Sequence, residues 1–123
     1  MPLATATLNS LLDAFFNATS YSNANVWLKL HIGDPGAAGT SNVAGETTRK
    51  EATFPAAGSA ATSNDNTITW TSVSTTETYS WLSLWTLVAG GTFLGRVQLV
   101  ASKAVNAGDT FQIPIGDFDA TAT

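Results

Sequence analysis

Val26-Trp27-Leu28-Lys29-Leu30-His31-Ile32, running into Gly33-Asp34-Pro35-Gly36, decides the fold class of this chain. In an extended segment Val26, Leu28, Leu30 and Ile32 point one way and Trp27, Lys29 and His31 the other, the alternation of a half-buried strand. The strand stops where Pro35 fixes φ, Gly36 accepts φ > 0 and the Asp34 carboxylate reaches the turn's own backbone, so Asp34, Pro35 and Gly36 are read as a structural turn. The same period of two, rich in Thr, Val and aromatic residues, continues from Asn25 to the end. It predicts strands over 26–32, 49–54, 67–73, 79–87, 92–100, 110–115 and 118–122. Seven strands at this spacing imply a mainly β protein, an antiparallel β-sandwich of Greek-key or jelly-roll type.

One segment breaks the pattern. Leu8, Leu11, Leu12, Phe15 and Phe16 fall at i, i+3, i+4, i+7 and i+8, which predicts one N-terminal amphipathic α-helix over 3–17, with Thr5 or Thr7 as its cap. Two roles suit this face: local cover for an open side of the sheet, or docking on another subunit. Local cover is favoured, because a strand carrying Trp81 and Trp85 on one side and Leu82 and Leu84 on the other needs covering twice. Asn64-Asp65-Asn66 and residues 106–109 supply turns, Gly90-Gly91 reads as a tight hairpin, and 55–63 as an exposed loop.

A chain of 123 residues is the size of one domain, here 1–24 as helix and loop and 25–123 as the sandwich. Its net charge of −4 and its five cations, Lys29, Arg49, Lys50, Arg96 and Lys103, do not make the basic stripe that nucleic acid requires. With no cysteine there is neither a disulfide framework nor a thiolate metal site. Residues 1–5 lack the basic start of a secretory signal, and nothing approaches the roughly 18 apolar residues of a membrane span, so synthesis in a cytoplasm without membrane insertion is expected. Only 11% of residues are charged, which suits a surface covered by neighbouring subunits.

Candidate chemistry is sparse. His31 is the sole histidine, and neither zinc ligands nor a G-x-S-x-G elbow accompany it, so it is placed on the outer face of a strand with Asp34 bracing the turn. Alternation puts Asp117 and Asp119 on one polar edge around an inward Phe118. Trp27, Trp70 and Tyr79 suggest either core and subunit interface or, less readily, a platform for stacking a host-surface glycan. Arg49 is expected to pair with Glu46, Glu51 or Asp34. Neither a cofactor nor a metal is called for.

The order L-x-x-H-x-G-D-P-G over 28–36, then Gly39, Val43, Gly45 and Arg49, resembles a group of small proteins of tailed bacteriophages and prophages, tail-fibre or minor tail proteins. Leu82-Ser83-Leu84-Trp85, Gly90-Gly91-Thr92-Phe93-Leu94-Gly95 and the stretch 101–111 continue the resemblance. A longer apolar N-terminal helix and Ile113-Pro114-Ile115 depart from it. The resemblance implies a non-enzymatic structural virion protein, assembled in the host cytoplasm, displayed as a tail or fibre-type accessory and bound to other virion proteins as a homo-oligomer, with a trimer favoured. Head decoration is the alternative reading of the same features, and a carbohydrate-binding module the second.

Overall fold

A computed structural model describes residues 3–23 and 25–121. Helix α1 spans Thr5–Phe16 and is followed by eight strands: β1 (Val26–His31), β2 (Lys50–Ala52), β3 (Ala61–Ser63), β4 (Ile68–Trp70), β5 (Glu77–Trp85), β6 (Phe93–Val105), β7 (Phe111–Ile113) and β8 (Asp119–Thr121). All the ladders are antiparallel: a four-stranded sheet in the order β2-β1-β5-β6, and two-stranded ladders β3-β8 and β4-β7. The chain is thus mainly antiparallel β with one short N-terminal helix, a β-sandwich as the periodicity implies.

The two layers meet on side chains that alternation had already sorted inward, with Tyr79 added where a register shift between Tyr79 and Trp81 turns it to the side of Leu82 and Leu84. Leu28 and Leu30 of β1 and Tyr79, Leu82 and Leu84 of β5 face Ile68, Trp70, Phe111 and Ile113 of the β4-β7 ladder. Phe111 is the joint, its ring 5.6 Å from Trp70 and 5.3 Å from Tyr79. Leu28, Leu30 and Tyr79 have no exposed surface, and burying each such side chain contributes about 1.5–3 kcal/mol. The ladder β3-β8 is stitched to the rest by the buried Asn64. Its amide donates to the carbonyls of Asn66 (2.7 Å) and Pro114 (3.0 Å), and its oxygen accepts the Phe118 amide (2.9 Å). A polar side chain is stable at such a depth because all these groups are paired.

Several expectations are corrected. The strands are mostly shorter than their apolar runs, and residue 122 of the expected last strand lies outside the described residues. The 55–63 segment was expected to be loop, yet Ala61–Ser63 pairs with Asp119–Thr121; its small residues hide the alternation that marks a strand. Gly90 and Gly91 do adopt positive φ, but they sit in a longer connection closed by Thr86 N–H donating to Thr92 O (3.2 Å), not in a two-residue hairpin. Neither Thr5 nor Thr7 caps the helix: the cap position is Ala4, which makes no side-chain bond.

The largest correction concerns what covers the sheet's second face. The helix does not: Phe15 is 81% and Phe16 71% exposed, with Leu8, Leu11 and Leu12 between 40% and 54%. That face belongs instead to the 33–45 segment. Ile32 N–H donates to Asn42 O (2.9 Å) and Ala44 N–H to Leu30 O (3.2 Å), which pairs the end of the segment with the edge of β1 where β2 stops, while Ser41 O reaches over the face to His31 Nδ1 (2.9 Å). From there the segment reaches β6, where Gly39 lies against the Phe93 ring so closely that a Cβ would sit 2.5 Å from it. With the apolar area taken, α1 has only its small side to offer the body, and Thr7 is its one buried residue.

Candidate functional site

The turn read from Asp34-Pro35-Gly36 is present and anchors this covering segment. Gly36 N–H donates to Asp34 Oδ1 (2.9 Å), Pro35 is buried and its carbonyl accepts from Ser41 N–H (2.9 Å), and Gly36 has φ +79°. Asp34 Oδ1 also receives Arg96 Nη1 at 2.8 Å, so the cation that pairs with Asp34 is Arg96 on β6 and not Arg49. Arg49 does something its charge alone did not suggest. Its guanidinium lies 4.2 Å from the Trp85 ring centroid and Nη1 donates to the carbonyls of Leu87 (2.8 Å) and Gly90 (2.7 Å), fastening the 86–92 connection over the sheet.

His31 is fully buried, and its placement on a solvent-facing side is corrected: Ser41 of the 33–45 segment lies over this end of β1's outer face. Its Nδ1 is 2.9 Å from Ser41 O and its Nε2 2.7 Å from Ser83 Oγ, which in turn accepts Trp85 Nε1–H at 2.7 Å. A carbonyl only accepts, so Nδ1 carries the proton and Nε2 is the acceptor of the Ser83 hydroxyl. Burial, with Lys29 adding to it, holds the His31 pKa below its usual value, and the neutral ring satisfies all three partners. The Ser–His spacing is that of a nucleophile and its base, but Ser83 is itself without exposed surface and its oxygen is engaged by Trp85, so no substrate reaches it. These residues form a structural relay joining β1, β5 and the covering segment.

The residues proposed as a sugar platform do not come together. Trp70 is 1% exposed with Nε1–H given to Thr48 O (2.7 Å), and Tyr79 is fully buried. Burial and the nearby Glu77 and Glu46 carboxylates push the Tyr79 hydroxyl up to about 12. Trp27, half-buried, sits on the opposite side of the sheet, across from Trp85. A stacking surface needs open ring faces, and the core has consumed two of the three. Asp117 and Asp119 are exposed around the buried Phe118, as alternation requires. Among the described residues no group of three His, Cys, Asp or Glu is placed to hold a metal, and no helix is long and apolar enough to cross a membrane.

The molecule also presents several large apolar side chains outward. The stripe Leu8, Leu11, Leu12, Phe15 and Phe16 stands on a helix tied to the body at its start, where Ala4 N–H donates to Leu94 O (2.8 Å) and Leu3 bridges Gly95 on the outer edge of β6. Farther along β6 the sandwich opens into a groove of about 490 Å³ against β7 and β8, lined by Val97, Leu99, Ile113 and Phe118 among others. Val100 beside it is fully exposed and Ile115 63% exposed. Sequence reading missed this groove. Its signal was the consecutive Leu99-Val100, where alternation fails: β5 pairs Tyr79 with Lys103 but Trp81 with Gln98, and the extra β6 residues between them are pushed outward.

One comparison with known families bears on what this body is. A family model described as "Podophage GP4 fiber I protein gp80", Gp80, matches residues 2–121. The chain belongs to this phage fibre family. No curated protein matches it. Membership accords with a phage tail-fibre-like structural protein and with a place in the virion. It also relates the helix to the rest of the molecule, since the matched span runs through α1 as well as the sandwich.

Proposed function

We propose that this chain is a non-enzymatic structural component of a tailed-phage virion, displayed on the particle surface as a tail or fibre-type accessory and held there by other virion proteins. The observation that carries the reading is the family match across residues 2–121 in a chain whose α1 stripe faces solvent. The 123 residues act as one unit, in which the sandwich provides a rigid body and the helix the means of attachment. The working form is a homo-oligomer, with three copies favoured, because low surface charge and an open sheet edge both gain from being covered by neighbouring chains. Assembly takes place in the host cytoplasm.

Electron cryo-microscopy of intact particles, compared with particles from a phage lacking this gene, tests the placement. The expected result is density lost from the tail or its fibres. Density lost from the head shell would replace the fibre reading by head decoration, and identical particles would remove the protein from the virion.

A further inference from the structure

We propose that the groove between β6 and the β7-β8 side of the sandwich takes an extended segment of a different protein, one that alternates apolar residues with Lys or Arg. The inference rests on the reading of this chain as a component held by other proteins, and it gives that contact a place apart from the helix.

Strand edges bound the groove. β6 is the last strand of its sheet and pairs only with β5, while β7 pairs only with β4, so each leaves one row of backbone groups open. The open edge of β6 already accepts a strand at one end, where Ala4 N–H donates to Leu94 O (2.8 Å) and Leu3 bridges Gly95. Along a strand the backbone groups of successive residues turn to alternate edges, so those of Gln98 share the side of Leu94 O. Among the described residues none pairs with Gln98 there. Such an edge is a template for an added strand, in which main-chain bonds supply affinity and pockets for alternate side chains supply specificity.

The floor fixes what those alternate side chains are. Leu82, Val97, Leu99, Phe111, Ile113 and Phe118 line the groove, whose volume of about 490 Å³ lies within the roughly 300–1,000 Å³ of ligand pockets. The β6 bulge opens it, because four residues there oppose Ser80 alone, and Val100 on that wall is fully exposed. A strand laid along β6 turns every second side chain to one face, so its apolar residues enter the groove while the residues between them stay at the rim.

Charge fixes the rest of the pattern. Asp117 and Asp119 line the same groove and are exposed, one on each side of the buried Phe118. Neither meets a cation: the salt bridge among the described residues joins Arg96 to Asp34. The chain holds five cations against nine acids, so a second copy would bring more repulsion than complement, and the Lys or Arg comes from a different protein. Anionic lipid is unsuited to the same rim.

Titration of the purified full chain with short synthetic peptides, followed by NMR, tests the proposal. The probe is a blocked heptapeptide of alternating valine and lysine. Its controls are the same peptide with glutamate for lysine, and the valine-lysine peptide N-methylated at alternate residues. The probe should bind at sub-millimolar concentration and slow amide exchange at Gln98, and each control should bind about tenfold more weakly. Asp117→Asn with Asp119→Asn should abolish the preference for lysine over glutamate; both positions are exposed, so the unfolding midpoint of this variant should match that of wild type. No binding of the probe at several millimolar, equal affinity for the glutamate peptide, a preference unchanged in the double variant, or protection away from Gln98 would overturn the proposal. These measurements concern the isolated chain, whereas imaging of particles decides the virion placement, so either idea can fail alone.

Discussion

Replacing Ser83 by alanine is the sharpest probe of how the sheet's second face is held. The change removes one oxygen from a fully buried site and leaves two groups unpartnered, His31 Nε2 and Trp85 Nε1–H, each now 2.7 Å from the lost oxygen. Each lost hydrogen bond is worth about 0.5–1.5 kcal/mol, and stranding a buried acceptor costs about 1–3 kcal/mol more, so a loss of about 2–4 kcal/mol is expected. Urea unfolding followed by tryptophan fluorescence measures it as a fall in the midpoint at unchanged slope. The relay also has a pH signature. Burial lowers the folded-state pKa of His31, so the unfolded chain binds the extra proton first. The His31 contribution is therefore whole above about pH 6.5 and declines as pH falls through the unfolded value toward the folded one, by at most about 1.4 kcal/mol per pH unit. Subtracting the profile of a His31→Asn variant isolates this slope from that of the carboxylates. A Ser83→Ala loss under about 0.5 kcal/mol, or a His31→Asn profile parallel to wild type between pH 5 and 7, would refute the reasoning.

Further outcomes are open to the same assay. Trp70→Ala should cost about 3–5 kcal/mol, because a ring 1% exposed leaves a large cavity and strands Thr48 O. Gly39→Ala should cost more than about 1 kcal/mol, since the added Cβ meets Phe93 at 2.5 Å in a backbone at φ +72°; a neutral result would mean the covering segment is not seated on β6. Arg49→Lys should loosen the 86–92 connection, seen as faster amide exchange there, because a lysine cannot keep both carbonyls and the Trp85 ring. Phe15→Ala should barely move the unfolding midpoint of the dissociated chain, a ring 81% exposed having little burial to lose.

The sandwich was legible because its strands obey a strict alternation: Leu28 and Leu30, Ile68 and Trp70, Phe111 and Ile113 all lie inward where the period of two puts them. What failed to show were features with no period. The 33–45 segment covers a sheet face with a turn, a glycine and backbone carbonyls, none of which reads as apolar, so the helix, the one visible apolar element without a place, was given the task. His31 was misplaced for the same reason, since alternation tells which side of a strand a residue takes but not what lies above it. Asn64 looked like a turn residue and proved to be a buried clamp, a role defined by groups from Pro114 and Phe118 that no local pattern reveals. The α1 stripe was plain in the sequence; whether it faced inward or outward depended on competition for the sheet's free face, which is decided in three dimensions.

The order of the pairings carries a consequence for how the chain reaches this structure. β5 and β6, and likewise β1 and β2, are neighbours along the chain and paired in space, although the second pair already joins residue 26 to 52. The other ladders join residue 27 to 85, 61 to 121 and 68 to 113. Each of these closes a long loop before any contact repays it, so folding belongs with the slow, non-local β topologies, at milliseconds to seconds. Since β7 and β8 follow all the other strands, the second layer can begin to form only after β1 to β6 have been made. During synthesis the β5-β6 hairpin waits with the inward Tyr79, Leu82 and Leu84 uncovered, and the late arrival of Phe111 and Phe118 sets how long a nascent copy remains prone to aggregation.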